Sequence, residues 1–196
     1  MRAFIALRLS DDLKQKIIAI QSELARFDAD VKWVDPSAIH LTLKFLGEIT
    51  EDQAHIVEQL LTAIASGFPS FELSLAKLGA FPSLEHPKVV WIGIEDGKRE
   101  VIRIAEKLDA ELQNRGFAAK ARTFSPHSTI GRIRSDGHQR ELIKKIHALN
   151  DNVEFSGLDQ SVTHQRVSSL ELYQSVLTPQ GPIHLLIHQV TLSGHA

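Results

Sequence analysis

Apolar residues recur along this chain with two alternating periods, one suited to strands and one to helices. Residues 2–8 read as a strand. Ser10 then stands where a helix cap is expected, and Asp11 and Asp12 suit the positive end of the helix behind it. Leu13, Ile17, Ile20 and Leu24 follow at helical spacing. Residues 39–46 alternate as a strand does. Thr50 and Gln53 form a capping box for a helix carrying Ile56, Leu60 and Ile64, which Gly67 can end. Phe71, Leu73 and Leu75 mark one strand face, and residues 88–94 another strand. Val101, Ile104, Ala105, Leu108 and Leu112 predict a third helix, stopped at Gly116. Residues 127–133 return to a strand, and Asp136 opens a short helix with Leu142, Ile143 and Ile146. Strands are expected at 153–157, 166–177 and 183–192, the last two joined by the turn Thr178-Pro179-Gln180-Gly181-Pro182. Hairpin-like neighbours mixed with helices predict an α+β fold with largely antiparallel sheets.

One pattern occurs twice. Strands 39–46 and 127–133 each carry His-x-Thr, after a proline-marked turn and before a helix. This echo predicts a duplication: one bilobed domain over 1–196, with related motifs at 40–43 and 127–130. Each lobe would be a largely antiparallel sheet with helices packed outside, and the site would lie in the cleft between them.

Composition narrows the chemistry. Cysteine is absent, which excludes disulfides, thiolate metal sites and a cysteine nucleophile. The N-terminal stretch from Met1 to Leu7 is too short for a signal peptide, and no run approaches the roughly 18 apolar residues of a membrane span. A soluble cytoplasmic protein is the expectation. A chain of 196 residues can bury roughly 70% of its unfolded surface and needs no metal or disulfide to fold. Net charge is −2 with histidines neutral, so there is no chain-wide basic footprint for long nucleic acid. An RNA partner would be a small or terminal target gripped locally.

The doubled motif carries the chemistry. Residues i and i+2 of a strand share a face. His40 and Thr42 therefore point one way, and Leu41, Leu43 and Phe45 are expected to be buried on the other. His127 and Thr129 repeat this, with Ile130 opposite and Pro126 fixing the backbone just before. Two imidazoles facing across a cleft suit in-line displacement at phosphorus, which needs a base on one side and an acid on the other; histidine serves as either near neutral pH. Threonine hydroxyls can donate to the non-bridging oxygens. Being neutral they cannot balance all the charge, which points to Arg132. Strict alternation puts Arg132 on the wrong face, unless a bulge near Gly131 turns it back.

The flanks carry a family resemblance. Trp33-Val34-Asp35-Pro36-Ser37-Ala38-Ile39-His40-Leu41-Thr42-Leu43-Lys44-Phe45-Leu46-Gly47 resembles the first motif of the two-histidine phosphoesterase superfamily. Phe124-Ser125-Pro126-His127-Ser128-Thr129-Ile130-Gly131-Arg132 resembles the second. Arg2 to Ala6, Ala80 to Trp91 and Leu170 to Ser175 fit as well. More narrowly the chain resembles the RNA 2′,3′-cyclic phosphodiesterases, formerly called 2′-5′ RNA ligases. The resemblance implies a bilobed α+β fold and hydrolysis of a terminal 2′,3′-cyclic phosphate to a 2′-phosphate, without metal or cofactor. It implies His40 as proton donor, His127 as acceptor, and Thr42 and Thr129 as phosphate holders. The partners would be RNA ends or small nucleotides with a cyclic phosphate, and a monomer is expected. Ser128 stands where a larger residue is common, Gly131 where alanine is common, and His184 near a frequent tyrosine.

Other features are weaker. His184 and His188 read as strand, about 13 Å apart, too far to share one ion. Trp33, Phe81, Trp91, Phe124 and Tyr173 are candidates to stack on a base, though most are expected in the core. Lys44 shares the His40 face by parity and is expected in solvent, as is the pair Lys144-Lys145 on its helix. Two alternatives to hydrolysis stand: ligation by the same site run backwards, and an RNA-end binding module without chemistry. Water at about 55 M disfavours the first, and intact His40, Thr42, His127 and Thr129 disfavour the second.

Overall fold

The structure is a computed structural model that describes residues 1–119, 123–151, 164–179 and 181–194. The strands are β1 (Arg2–Arg8), β2 (Val31–Trp33), β3 (His40–Glu48), β4 (Phe71–Phe81), β5 (Val89–Ile94), β6 (His127–Ile133), β7 (His164–Val167), β8 (Ser169–Thr178) and β9 (Gly181–Thr191). The helices are α1 (Asp11–Ala25), α2 (Glu51–Ala65), α3 (Lys98–Gln113) and α4 (Gln139–Asp151). The strands form two antiparallel sheets, ordered β3-β1-β8-β9 and β2-β6-β5-β4-β7. This is the α+β, antiparallel arrangement that the periodicities predict, in the two sheet lobes that the repeated motif predicts.

The expected caps form. Ser10 Oγ accepts from the Leu13 amide at 3.3 Å, and Thr50 and Gln53 close a reciprocal capping box. Gly116, at φ +82°, lies just past α3 in the left-handed region that glycine enters freely. The apolar positions expected to face inward are buried in α1 (Leu13, Ile17, Ile20 and Leu24) and in α3 (Val101, Ile104, Leu108 and Leu112), whereas in α2 Leu60 and Ile64 are buried and Ile56 is 38% exposed.

The helices are exchanged between the sheets. α2 and α3 pack on the β3-β1-β8-β9 sheet, whereas α1 and α4 pack on the other. So α1 leaves β1 and covers the opposite sheet, while α3, between β5 and β6, covers β3. Neither sheet is built from one continuous segment, and the apolar core runs on from one to the other.

Two expectations need correcting here. Residues 166–177 are not one strand: β7 pairs with β4 and β8 with β1, and the chain crosses between the sheets at Ser168. The helix opened near Asp136 begins at Gln139 and is a full thirteen residues long. The strand expected at 153–157 lies outside the described residues, as does Gln180 of the β8–β9 turn. In that turn Thr178 Oγ1 donates to the Gly181 carbonyl at 2.6 Å.

Candidate active site

The two His-x-Thr strands share a defect that the sequence pattern conceals. Along β3 the partner in β1 steps from Thr42↔Ala6 to Lys44↔Ile5, leaving Leu43 as an extra residue. Along β6 the partner in β5 steps from Thr129↔Trp91 to Gly131↔Val90, leaving Ile130 extra. The two bulges occupy the same place in their motifs. A bulge of one residue reverses which face the following side chains take. The echo in sequence is therefore an echo in backbone geometry.

The reversal overturns two expectations and meets a third. Phe45, expected in the core, is 68% exposed and turned to the His40 side, 6.1 Å from the Phe4 ring. Lys44, expected in solvent, is turned inward and buried. Its ammonium donates to Asp109 of α3 at 2.5 Å and to the Ala118 carbonyl at 2.7 Å. Arg132 is returned to the His127 face, because it pairs with Val89, which shares a face with Trp91, the partner of Thr129. Gly131 lets this strand be closed over tightly: a Cβ there would lie 2.8 Å from Val31 Cγ1 and 2.9 Å from Trp33 Cε3.

Each imidazole is held the same way. His40 Nδ1 lies 2.7 Å from the Ala38 carbonyl, and His127 Nδ1 lies 2.6 Å from the Ser125 carbonyl. A carbonyl only accepts, so Nδ1 carries the proton and the neutral ring leaves Nε2 as its basic atom. In the first motif that Nε2 sits 2.9 Å from Thr42 Oγ1, close enough to accept its hydroxyl proton. Ser128 joins the two strands. Its side chain is fully buried and donates to the His40 carbonyl at 2.9 Å. Gln21 of α1 braces the second motif by donating to the carbonyl of its bulge residue Ile130 at 2.8 Å and to that of Val34 at 2.9 Å.

Aromatic rings set the walls. Phe4 stacks on His40 at 4.7 Å and on Tyr173 at 5.4 Å. Phe81 meets His127 edge-on at 4.9 Å, and Trp91 lies 6.0 Å away. Trp91 lies flat over Gly79, where a Cβ would come within 2.3 Å of its ring. Of the aromatic candidates, Phe81 and Trp91 meet His127 and Tyr173 meets Phe4 beside His40, while Trp33 and Phe124 pack against the core. Phe4 and Phe45 were not picked out by the sequence. Both faces of β1 are apolar, so its alternation is silent about Phe4, and the bulge hides Phe45.

Burial pushes His40 down to about 4; its bond to Ala38 opposes this, and the nearby His184 and Lys14 add to it. Burial also lowers His127, against the opposing bond to Ser125. Burial thus favours the neutral form of both imidazoles in the free protein. His184 and His188 fall on opposite faces, because Ile187 is an extra residue between their registers with β8. Among the described residues, no group of three or more histidine, aspartate or glutamate side chains is placed to hold a metal ion. Likewise, no described helix is long and apolar enough to cross a membrane. Lys144 is exposed as expected, while Lys145 leans on Glu23 at 3.5 Å and over the Phe27 ring.

Known proteins resemble the chain in sequence and in fold. A family model described as LigT like phosphoesterase matches residues 7–91. The RNA 2′,3′-cyclic phosphodiesterase of Methanothermobacter thermautotrophicus is 34% identical, over 94% of this chain and 95% of that protein. The protein of the same name from Thermotoga maritima is 30% identical, over 99% and 97%. Among solved structures, TT0787 of Thermus thermophilus superposes with a TM-score of 0.79 at 23% identity, over the full length of both chains. Escherichia coli LigT complexed with 3′-AMP gives 0.74 at 24% identity, over 98% of each. These two establish the likeness of fold. The chain belongs to the LigT-like family of the two-histidine phosphoesterases, the family of the RNA 2′,3′-cyclic phosphodiesterases.

Proposed function

We propose that this protein hydrolyses a terminal RNA 2′,3′-cyclic phosphate to a 2′-phosphomonoester, with His40 and His127 as the acid–base pair. The observation that carries the reading is the matched geometry of the two motifs. Each histidine is pinned through Nδ1 to the carbonyl two residues before it, follows the same strand defect, and leaves Nε2 for chemistry. The bond from Ser128 to the His40 backbone sets the two motifs side by side.

In this mechanism water attacks phosphorus and gives its proton to His127 Nε2. The P–O3′ bond breaks, and O3′ takes the Nε2 proton of His40, which enters the step as imidazolium after taking up a proton when the anionic substrate binds. The phosphate stays on O2′, and atoms and charges balance without another reactant. Thr42 and Thr129 donate to the non-bridging oxygens, and Arg132 supports the added negative charge. Four features favour the cyclic ester of an RNA end or nucleotide over a long duplex: the net charge of −2, the aromatic walls, the single arginine at the second motif, and the names of the relatives. A 5′-hydroxyl in place of water, losing its proton to His127 while O3′ is again expelled, would join the cyclic end to a second strand as a minor 2′-5′ ligation. A binding module without chemistry has no use for two pre-set imidazole tautomers. We place the site in one bilobed domain spanning the chain, working as a monomer without metal or cofactor in the cytoplasm.

The test is a substrate whose bridging 3′ oxygen is sulfur, a leaving group that needs no proton. His40→Ala and His127→Ala should each lose at least about 100-fold on the normal ester. On the thio ester His40→Ala should largely recover and His127→Ala should not. The reverse pattern exchanges the two roles, and wild-type rates in both variants remove the mechanism.

A further inference from the structure

The His40 side of the site holds a third histidine. His184 comes from β9, two strands beyond β1, and pairs with the small Ser175. Over that small residue its ring reaches the Phe4 face, edge-on at 4.8 Å, and meets His40 edge-on at 5.0 Å. His184 is only partly exposed, yet among the described residues neither of its ring nitrogens makes a hydrogen bond to protein. His40 and His127, by contrast, each commit one nitrogen to a carbonyl. The His184 nitrogens reach solvent, so a ligand oxygen can take the place of water on them without displacing a protein bond.

The two motifs also differ in charge at one corresponding place. The residue two beyond the bulge is Arg132 in β6 and Phe45 in β3. The His127 side therefore has a permanent cation, and the His40 side has none at that position. His184 stands where it can supply the missing polar contact.

We infer that His184 is a third phosphate-contacting residue, donating an imidazole N–H to the substrate phosphate from the His40 side. The inference rests on the cyclic phosphodiesterase reading, and its test keeps the two apart. His184→Phe preserves the ring that packs on Phe4 and His40 and removes the donor. Loss of one transition-state donor is worth roughly 100-fold or more in rate when it is fully engaged. His184→Phe should accordingly lower kcat/KM on a 2′,3′-cyclic nucleotide by about 10–100-fold. It should also weaken inorganic phosphate, measured calorimetrically at one pH, by at least about fivefold. His184→Gln, which restores an N–H donor, should recover part of both. If wild type hydrolyses the nucleotide and His184→Phe matches it, His184 only packs and the inference is wrong. If wild type fails to hydrolyse it, the parent reading falls, and the phosphate isotherms alone decide: equal affinity in wild type and His184→Phe overturns the contact.

Discussion

Substrate binding should move the titration of the site upward, and the displacement can be sized. In the free protein both imidazoles are held below the usual value near 6.5, His40 down to about 4. Yet the proposed acid must carry a proton on Nε2 when it acts. The bound phosphodiester supplies the remedy, since an anion beside an imidazolium stabilises the charged form. At about 4 Å, with an effective dielectric near 20, two unit charges attract by about 4 kcal/mol. That is about three pKa units, enough to bring a group at about 4 close to neutrality. The sign is fixed: the anion favours protonation of either histidine, so both limbs of the bell move up and neither moves down. The profile of kcat/KM reports the free protein and that of kcat the complex. The expected result is a kcat/KM bell with both limbs below about 6.5 and a kcat bell displaced upward by up to about three units, each belonging to the coupled pair. The assay is steady-state hydrolysis of a 2′,3′-cyclic nucleotide from pH 4 to 9 at constant ionic strength. Coincident bells, or kcat/KM limbs at or above 6.5, refute the reasoning.

Two further outcomes follow from the same geometry. Thr42→Val and Thr129→Val keep shape and strand propensity but remove the donor, and each should slow turnover by about 10–1000-fold with an unchanged thermal melt; rates equal to wild type make the hydroxyls structural. Lys44→Ala removes the ammonium from the buried Asp109 carboxylate, which keeps its bond from Gln113, and should cost about 1–3 kcal/mol in urea unfolding; a loss within about 0.5 kcal/mol puts Lys44 back in solvent.

Most elements were legible because their signals are local. The Ser10 cap, the Thr50–Gln53 box and the spacing of α1 and α3 need only neighbouring residues. The histidines and threonines were legible because the motif occurs twice in like surroundings. What escaped depends on partners far along the chain. The bulges at Leu43 and Ile130 arise from the register with β1 and β5, so parity misplaced Lys44 and Phe45 and left Arg132 undecided. The crossing at Ser168 depends on β4 competing with β1 for adjacent segments; the Ser168-Ser169 pair breaks the alternation between Val167 and Leu170, but nothing local says that the two sides join different sheets. The place of His184 beside His40 is set by the β8–β9 register and by the small Ser175 between them. Ser128 was visible as a small residue in its motif, but its bond to the His40 carbonyl joins two sheets that no local pattern relates.

The most direct measurement is the fate of an RNA ending in a 2′,3′-cyclic phosphate, incubated with the protein in the presence of EDTA. The described residues offer two imidazoles, two hydroxyls and an arginine, with no cluster of metal ligands beside them. Expulsion of O3′ leaves the phosphate on O2′, so the expected product is a 2′-phosphomonoester, formed as fast as without chelator and lost in His40→Ala and His127→Ala. A 3′-phosphate product, or activity abolished by EDTA and restored by a divalent ion, contradicts the two-histidine mechanism.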